Sequence, residues 1–192
     1  METAAKPDNQ ITAYAGASYN DRTLGRSSYG YLVMVNGITI TSKASYIKRQ
    51  TLSVAESEFI SGSYASNEVI GISRILEFII GKKPPTPILY MDSNAAIFNS
   101  IKPGGSESNR MRHIDPMYYR IRSDIQEKNL TVEKVKGIYN IADMMTKPLS
   151  ADKLGKLIIP IFKVPGCRKM LSPVDLDLGD NKRCELTQWS HN

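Results

Sequence analysis

Three carboxylates stand at positions where they could do chemistry together. Asp92 closes the apolar run Ile88-Leu-Tyr-Met91 and is followed at once by Ser93 and Asn94. Glu58 lies in Leu52-Ser-Val-Ala-Glu-Ser-Glu-Phe59, and Asp143 in Asn140-Ile-Ala-Asp143. Hard divalent ions such as magnesium take oxygen ligands of this kind. A cluster of such acids can hold two ions that clamp the attacking and leaving oxygens of a phosphodiester. Each acid alone has a plainer reading. Asp92 could be the N-cap of a following helix, and Glu58 and Asp143 could be N-terminal charges that complement a helix dipole. The residues by themselves leave both readings open.

To meet, the three acids need a sheet and helices to carry them. Ile11 to Tyr19 reads as a first strand and Ser27 to Val35 as a second. Asn36-Gly37 is the strongest hairpin signal in the chain, and Ile38-Thr-Ile-Thr41 alternates as the partner strand. From Ser53 the apolar period becomes helical, through Phe59, Ile60, Val69, Ile70, Ile72, Ile75, Leu76, Ile79 and Ile80. Gly62 and Gly71 inside that stretch predict two helices or a bend, and Gly81 with Pro84 and Pro85 predicts the stop. A short buried strand then delivers Asp92 to its C-terminal end, where ligands bind in open α/β sheets. A helix opens at Ser93 or Asn94. Residues 102–109 read as a flexible loop. Asp115-Pro116 reads as a cap with proline in the first helical position, and Met117, Ile121 and Ile125 line the helix behind it. Leu130, Val132 and Val135 mark a fifth strand. Asp143 opens the last helical region, which resumes after Pro148 as Ala151 to Ile159. The predicted class is α/β, a mixed five-stranded sheet with three antiparallel strands first, flanked by helices. Residues 1–10 read as a disordered leader, 11–162 as the domain and 163–192 as a poorly ordered tail.

The bulk composition agrees with one folded domain. The chain has 192 residues, 41% of them hydrophobic and 23% charged, with a formal charge of +6. A mild basic excess suits a polyanionic partner without demanding one. Cys167 and Cys184 read as free thiols of a reducing compartment. No run approaches the ~18 apolar residues that suggest a membrane span, and the N-terminus has no apolar signal core. The expectation is a cytoplasmic or nuclear protein with no membrane partner.

Five segments, in order, resemble the ribonuclease H domain of the Pol polyprotein of copia-type (Pseudoviridae) LTR retrotransposons, over about Ile11 to Phe162. Ser28-Tyr-Gly-Tyr-Leu-Val-Met-Val-Asn-Gly37 resembles that family's S-G-Y-x-F-x-L-x-G hairpin, and Leu52 to Phe59 its L-S-S-T-E-A-E-Y. Leu89-Tyr-Met-Asp-Ser-Asn-Ala-Ala-Ile97 is similar to x-x-C-D-N-x-S-A-I, and Arg112-His-Ile-Asp115 to K-H-I-D. Asn140 to Leu149 is similar to x-x-A-D-x-L-T-K-P-L. The resemblance implies a ribonuclease H-like fold that hydrolyses the RNA strand of RNA–DNA hybrids with two magnesium ions held by four carboxylates. It makes Glu58, Asp92 and Asp143 the catalytic and metal-binding acids. Glu56 also falls on an acidic family position, but the second glutamate of E-x-E is the ligand. Lys43, Arg112 and His113 become substrate-side candidates, with His113 open to a structural role as well.

One departure stands out. The fourth acid belongs on the first strand, in a motif like D-A-S-W, and here the matching segment is Gly16-Ala-Ser-Tyr19. The resemblance therefore implies impaired catalysis, with one magnesium ion or none. Asp21 lies beyond a turn and is poorly placed to substitute. Two alternatives stay open: a nucleic-acid-binding module or domesticated host protein without turnover, and a hybrid-specific endonuclease that tolerates the loss. The binding reading would use Lys43, Lys48, Arg49, Arg110, Arg112, Arg120 and Arg122 against phosphates. Partners would be RNA–DNA hybrid or other nucleic acid, and other Pol-derived domains. A truncated element, a host reading frame and a fragment of a larger product all fit a chain of this kind.

Overall fold

The structure, a computed structural model, describes residues 8–20, 25–101, 116–158 and 161. Its sheet has five strands: β1 Ile11–Ser18, β2 Ser28–Val35, β3 Ile38–Tyr46, β4 Ile88–Met91 and β5 Thr131–Lys134. Their spatial order is β3-β2-β1-β4-β5. β1 pairs antiparallel with β2, and β2 with β3; β1 pairs parallel with β4, and β4 with β5. With the helices packed on it, this is the mixed ribonuclease H-like α/β sheet that the sequence predicts.

The hairpin between β2 and β3 turns on Asn36 and Gly37, both at positive φ (50° and 72°), as a tight two-residue loop requires. β3 runs five residues past its predicted end. Those residues are exposed, so burial leaves no alternation there to read. The small residues of β1 set the depth of the core. Ile11, Ala13 and Ala15 join the main core cluster with Tyr29, Tyr31, Val33, Phe59, Ile60, Leu89 and Ile121. Tyr14, on the opposite face, packs with Leu32, Met34, Val135, Ile141 and Ala142.

Among the described residues four α-helices accompany the sheet: α1 Val54–Ile80, α2 Asn94–Ile101, α3 Arg120–Gln126 and α4 Ala151–Ile158. α1 is one continuous helix of 27 residues, not two. Its N-terminus is capped by the Ser53 side chain, which accepts from the Glu56 N–H at 3.1 Å. Its C-terminus ends on Gly81 at φ 70°, the left-handed conformation glycine adopts most readily. Gly62 does not break it, because its missing side chain is what allows α1 to lie against β4. A Cβ there would come within 2.6 Å of Met91 Cε. A 3₁₀ turn, Pro116–Tyr119, leads into α3, so Pro116 opens that turn and not the α-helix. Asp115, its predicted cap, is outside the described residues. A further 3₁₀ segment, Ile141–Met145, carries Asp143. The last acid therefore sits on a tight turn ahead of α4, and not on the α-helix itself.

Candidate active site

The strand end, the first turns of α1 and the Ile141–Met145 segment meet at one end of the sheet. Ser93, and not Asp92, caps α2: its hydroxyl accepts from the Ala96 N–H at 3.2 Å and its carbonyl accepts from Ile97 at 3.0 Å. That leaves the Asp92 carboxylate free of capping duty. It lies against Gly137, where a Cβ would come within 3.3 Å of Asp92 Oδ2. Lys134 donates its ammonium to the Asp92 main-chain carbonyl.

The two glutamates of α1 separate cleanly in role. Glu56 is buried, accepts from the Leu52 N–H at 2.8 Å and pairs with the Arg49 guanidinium at 2.9 Å. It closes the helix start. Glu58 faces the sheet and is 3% exposed, and its Oε2 makes no hydrogen bond. Burial is the main reason its carboxyl is pushed up to about 8. The Asp92 charge raises it further, Lys147 and a backbone hydrogen bond from Ala17 work against the rise, and Asp143 adds to it. Asp92 and Asp143 thus both lie within electrostatic reach of Glu58, and Lys147 lies within reach of all three acids.

Asp143 is 2% exposed, and both of its oxygens are taken. Lys147 Nζ donates to Oδ1 at 2.6 Å and Lys153 Nζ to Oδ2 at 3.0 Å. Burial works to lower the Lys147 ammonium, but the hydrogen bond and charge of Asp143, with Glu58 and Asp92 behind them, together raise it. The segment carrying Asp143 is tied to β1 by Asn140. Its amide donates to the Ala15 carbonyl at 2.9 Å, and its Oδ1 accepts from the Ala142 N–H at 3.2 Å.

Gly16 faces this same segment. A Cβ built on it would lie 3.4 Å from Asp143 Oδ1, 3.4 Å from Ala142 Cβ and 3.3 Å from Asn140 Nδ2. Its partner across the ladder is Gly30. A Cβ on Gly30 would come within 2.9 Å of Met145 Cβ and Thr146 Cγ2. The glycine pair lets the Asp143 segment sit down on the sheet. From the other side, the Ser61 hydroxyl reaches the carbonyls of both glycines, at 2.9 and 3.2 Å.

Among the basic groups the sequence singled out, Lys43 is exposed on β3 in register with Tyr31, and Lys48 and Arg120 are exposed. Arg49 is committed to Glu56. Arg122 is a correction. It is 5% exposed, donates to the Asn99 carbonyl at 2.9 Å and stacks over Tyr119 at 4.2 Å, so it packs α3 and does not offer a phosphate contact. Arg110, Arg112 and His113 lie outside the described residues. Lys147, Lys153 and Asn140 were not singled out from sequence. Lys147 lies within the Thr-Lys-Pro-Leu run, where only its spacing from Asp143 could have flagged it.

No helix among the described residues is long and apolar enough to cross a membrane. No protein-family model matches the chain. Among curated proteins, it is 32% identical over 144 residues to the transposon Ty1-NL2 Gag-Pol polyprotein of Saccharomyces cerevisiae, covering 75% of this chain and 8% of that polyprotein. It is 31% identical over 147 residues to the truncated transposon Ty1-A Gag-Pol polyprotein of the same yeast, covering 75% of this chain and 12% of that one. The chain thus spans about a tenth of the length of these relatives. Among solved structures, it is similar to the N-terminal RNase H domain of Rv2228c from Mycobacterium tuberculosis, at 14% identity and a TM-score of 0.48, covering 72% of this chain and 91% of that one. The sequence relation makes the chain a homologue of part of the copia-type Ty1 Gag-Pol polyproteins, and its sheet order is that of a ribonuclease H-like α/β fold.

Proposed function

We propose that this chain is a hybrid-recognising ribonuclease H-like domain, spanning about 11–162, whose cleavage of the RNA strand is impaired at Gly16. Glu58, Asp92 and Asp143 are its remaining site acids, with Lys43, Arg112 and His113 on the substrate side. The observation that carries this reading is how near position 16 lies to Asp143. A Cβ on Gly16 would lie 3.4 Å from Asp143 Oδ1, so an aspartate there would stand beside the acid cluster. Without it the cluster loses a ligand and a negative charge that two dications would need between them. Losing one catalytic ligand costs orders of magnitude in rate, at about 1.4 kcal/mol per decade.

The donor set as it stands does not fit two magnesium ions. The first-strand ligand is absent, and both Asp143 oxygens are engaged by ammonium groups. Among the described residues no group of three or more His, Cys, Asp or Glu side chains is arranged to hold a metal ion. Glu58 Oε2, buried and without a hydrogen-bond partner, is an acid oxygen left open to a ligand. A second reading, binding without turnover, draws support from Lys134, Lys147 and Lys153 around the cluster and from the net charge of +6. Its signature is hybrid binding that weakens steeply with salt.

The test is cleavage of a labelled RNA–DNA hybrid in magnesium by this chain and its Gly16→Asp variant side by side. Cleavage by the variant alone supports impairment at Gly16. Equal cleavage by both overturns it. Cleavage by neither, with salt-sensitive binding by both, leaves the binding reading in its place.

A further inference from the structure

We propose that Lys147 is the resident cation of the carboxylate cluster: its ammonium, seconded by Lys153, occupies Asp143 in place of a divalent ion, and an ion can enter only by expelling it. The inference deepens the reading of this site as a ribonuclease H-like centre.

Three observations converge on it. Asp143 is the most fully engaged of the three acids, with one ammonium on each oxygen at 2.6 and 3.0 Å, while the carboxylate itself is buried. A metal bound to Asp143 would have to share these oxygens with the two ammonium groups. The charges of Glu58 and Asp92 also act on the Lys147 ammonium, so it lies within electrostatic reach of all three acids. Finally, both lysine side chains are about one third exposed, at 32% and 31%. Their stems lead outward, and either head can leave for water without unfolding the segment that bears it.

The physical chemistry favours the lysine while the first-strand acid is missing. A buried carboxylate must be paired, and the nearest cation on the same chain competes at an effective concentration of millimolar order or above. A divalent ion wins such a contest by collecting several carboxylates at once. With Gly16 in place of an acid it collects fewer, and the tethered monovalent cation holds the position.

The test measures ion binding directly, without cleavage. The full chain and its Lys147→Met, Lys147→Arg and Lys153→Met variants are titrated with Mn²⁺, read by the loss of its free-ion paramagnetic resonance signal, and with Mg²⁺ by calorimetry. Lys147→Met is expected to bind at least tenfold tighter than the unaltered chain. Lys147→Arg, which keeps the charge, stays near the unaltered chain, and Lys153→Met shows a smaller gain than Lys147→Met. Lys147→Met that stays folded and binds no tighter overturns the proposal, as does the absence of binding by every variant. Should Lys147→Met fail to fold, the unaltered chain decides. Its Lys147 ammonium protons, protected by Asp143, give a nitrogen-15 signal that Mg²⁺ removes along its binding isotherm, and a signal that persists at saturation refutes the expulsion. Cleavage by Gly16→Asp together with unchanged ion binding by Lys147→Met would sink this proposal alone and leave the ribonuclease H reading standing.

Discussion

Putting aspartate at position 16 should destabilise the metal-free protein, and magnesium should repair the damage. Two effects contribute, and they can be separated. The first is steric. The new Cβ meets three atoms at 3.3 to 3.4 Å, so neighbours must give by tenths of an ångström, which costs about 1 kcal/mol at the low end of overpacking. Gly16→Ala carries that cost alone. The second is electrostatic. The added carboxylate comes to rest roughly 5 Å from Asp143, where two like charges at an effective dielectric of about 20 repel by roughly 3 kcal/mol. Lys147 and Lys153 offset part of this, so Gly16→Asp should be about 1–3 kcal/mol less stable than Gly16→Ala in chelator. A dication bound among the acids replaces repulsion with attraction, and binding to the native state alone adds RT ln(1 + [L]/Kd). Urea unfolding of the three proteins in chelator and in magnesium measures both effects. If Gly16→Asp and Gly16→Ala unfold alike in chelator, or if magnesium stabilises all three equally, then position 16 does not face the cluster in the way described.

Glu58 predicts an unusual pH trend. Its folded carboxyl titrates at about 8, above the ordinary value of 4.5, so the native state holds a proton that the unfolded chain gives up. Stability in chelator should therefore fall as pH rises from about 5 to 8, by up to roughly 4 kcal/mol, and Glu58→Gln should flatten the trend. Urea midpoints across that range provide the measurement. Asn140→Ala removes two buried hydrogen bonds and leaves the Ala15 carbonyl unpaired by the side chain. It should cost about 2–3 kcal/mol of stability, and amide exchange should show the Ile141–Met145 segment opening more often than the sheet beneath it.

The strand that bears Asp92 and the hairpin at Asn36-Gly37 were legible because their signals are local: a turn dipeptide, and an apolar run that ends in an acid. The continuity of α1 was not, because Gly62 looks like a breaker in one dimension and is a close-packing residue in three. Asp143 was found by its motif, but its seat on a 3₁₀ turn depends on Asn140 reaching across to β1, a tertiary bond with no local signature. The same reason hid Lys147 and Lys153, whose importance appears only when their ammonium groups are seen on one carboxylate. Arg122 looked like a surface cation because guanidinium groups are mostly exposed. Burial against Tyr119 and Asn99 could not be read from composition.

The scaffold around position 16 is held by hydrogen bonds that need no side chain there. Asn140 fastens the Asp143 segment to the neighbouring carbonyl of Ala15, Ser61 bridges the two glycine carbonyls from behind, and Gly30 provides the clearance. Folding therefore does not require an acid at this site, and the architecture accommodates glycine there. The step between glycine and aspartate is short, since codons for the two residues can differ by a single base. On the proposed reading, activity in such a domain is less a property that erodes with the fold than a setting carried on one interchangeable part, and Gly16→Asp tests whether one step recovers it.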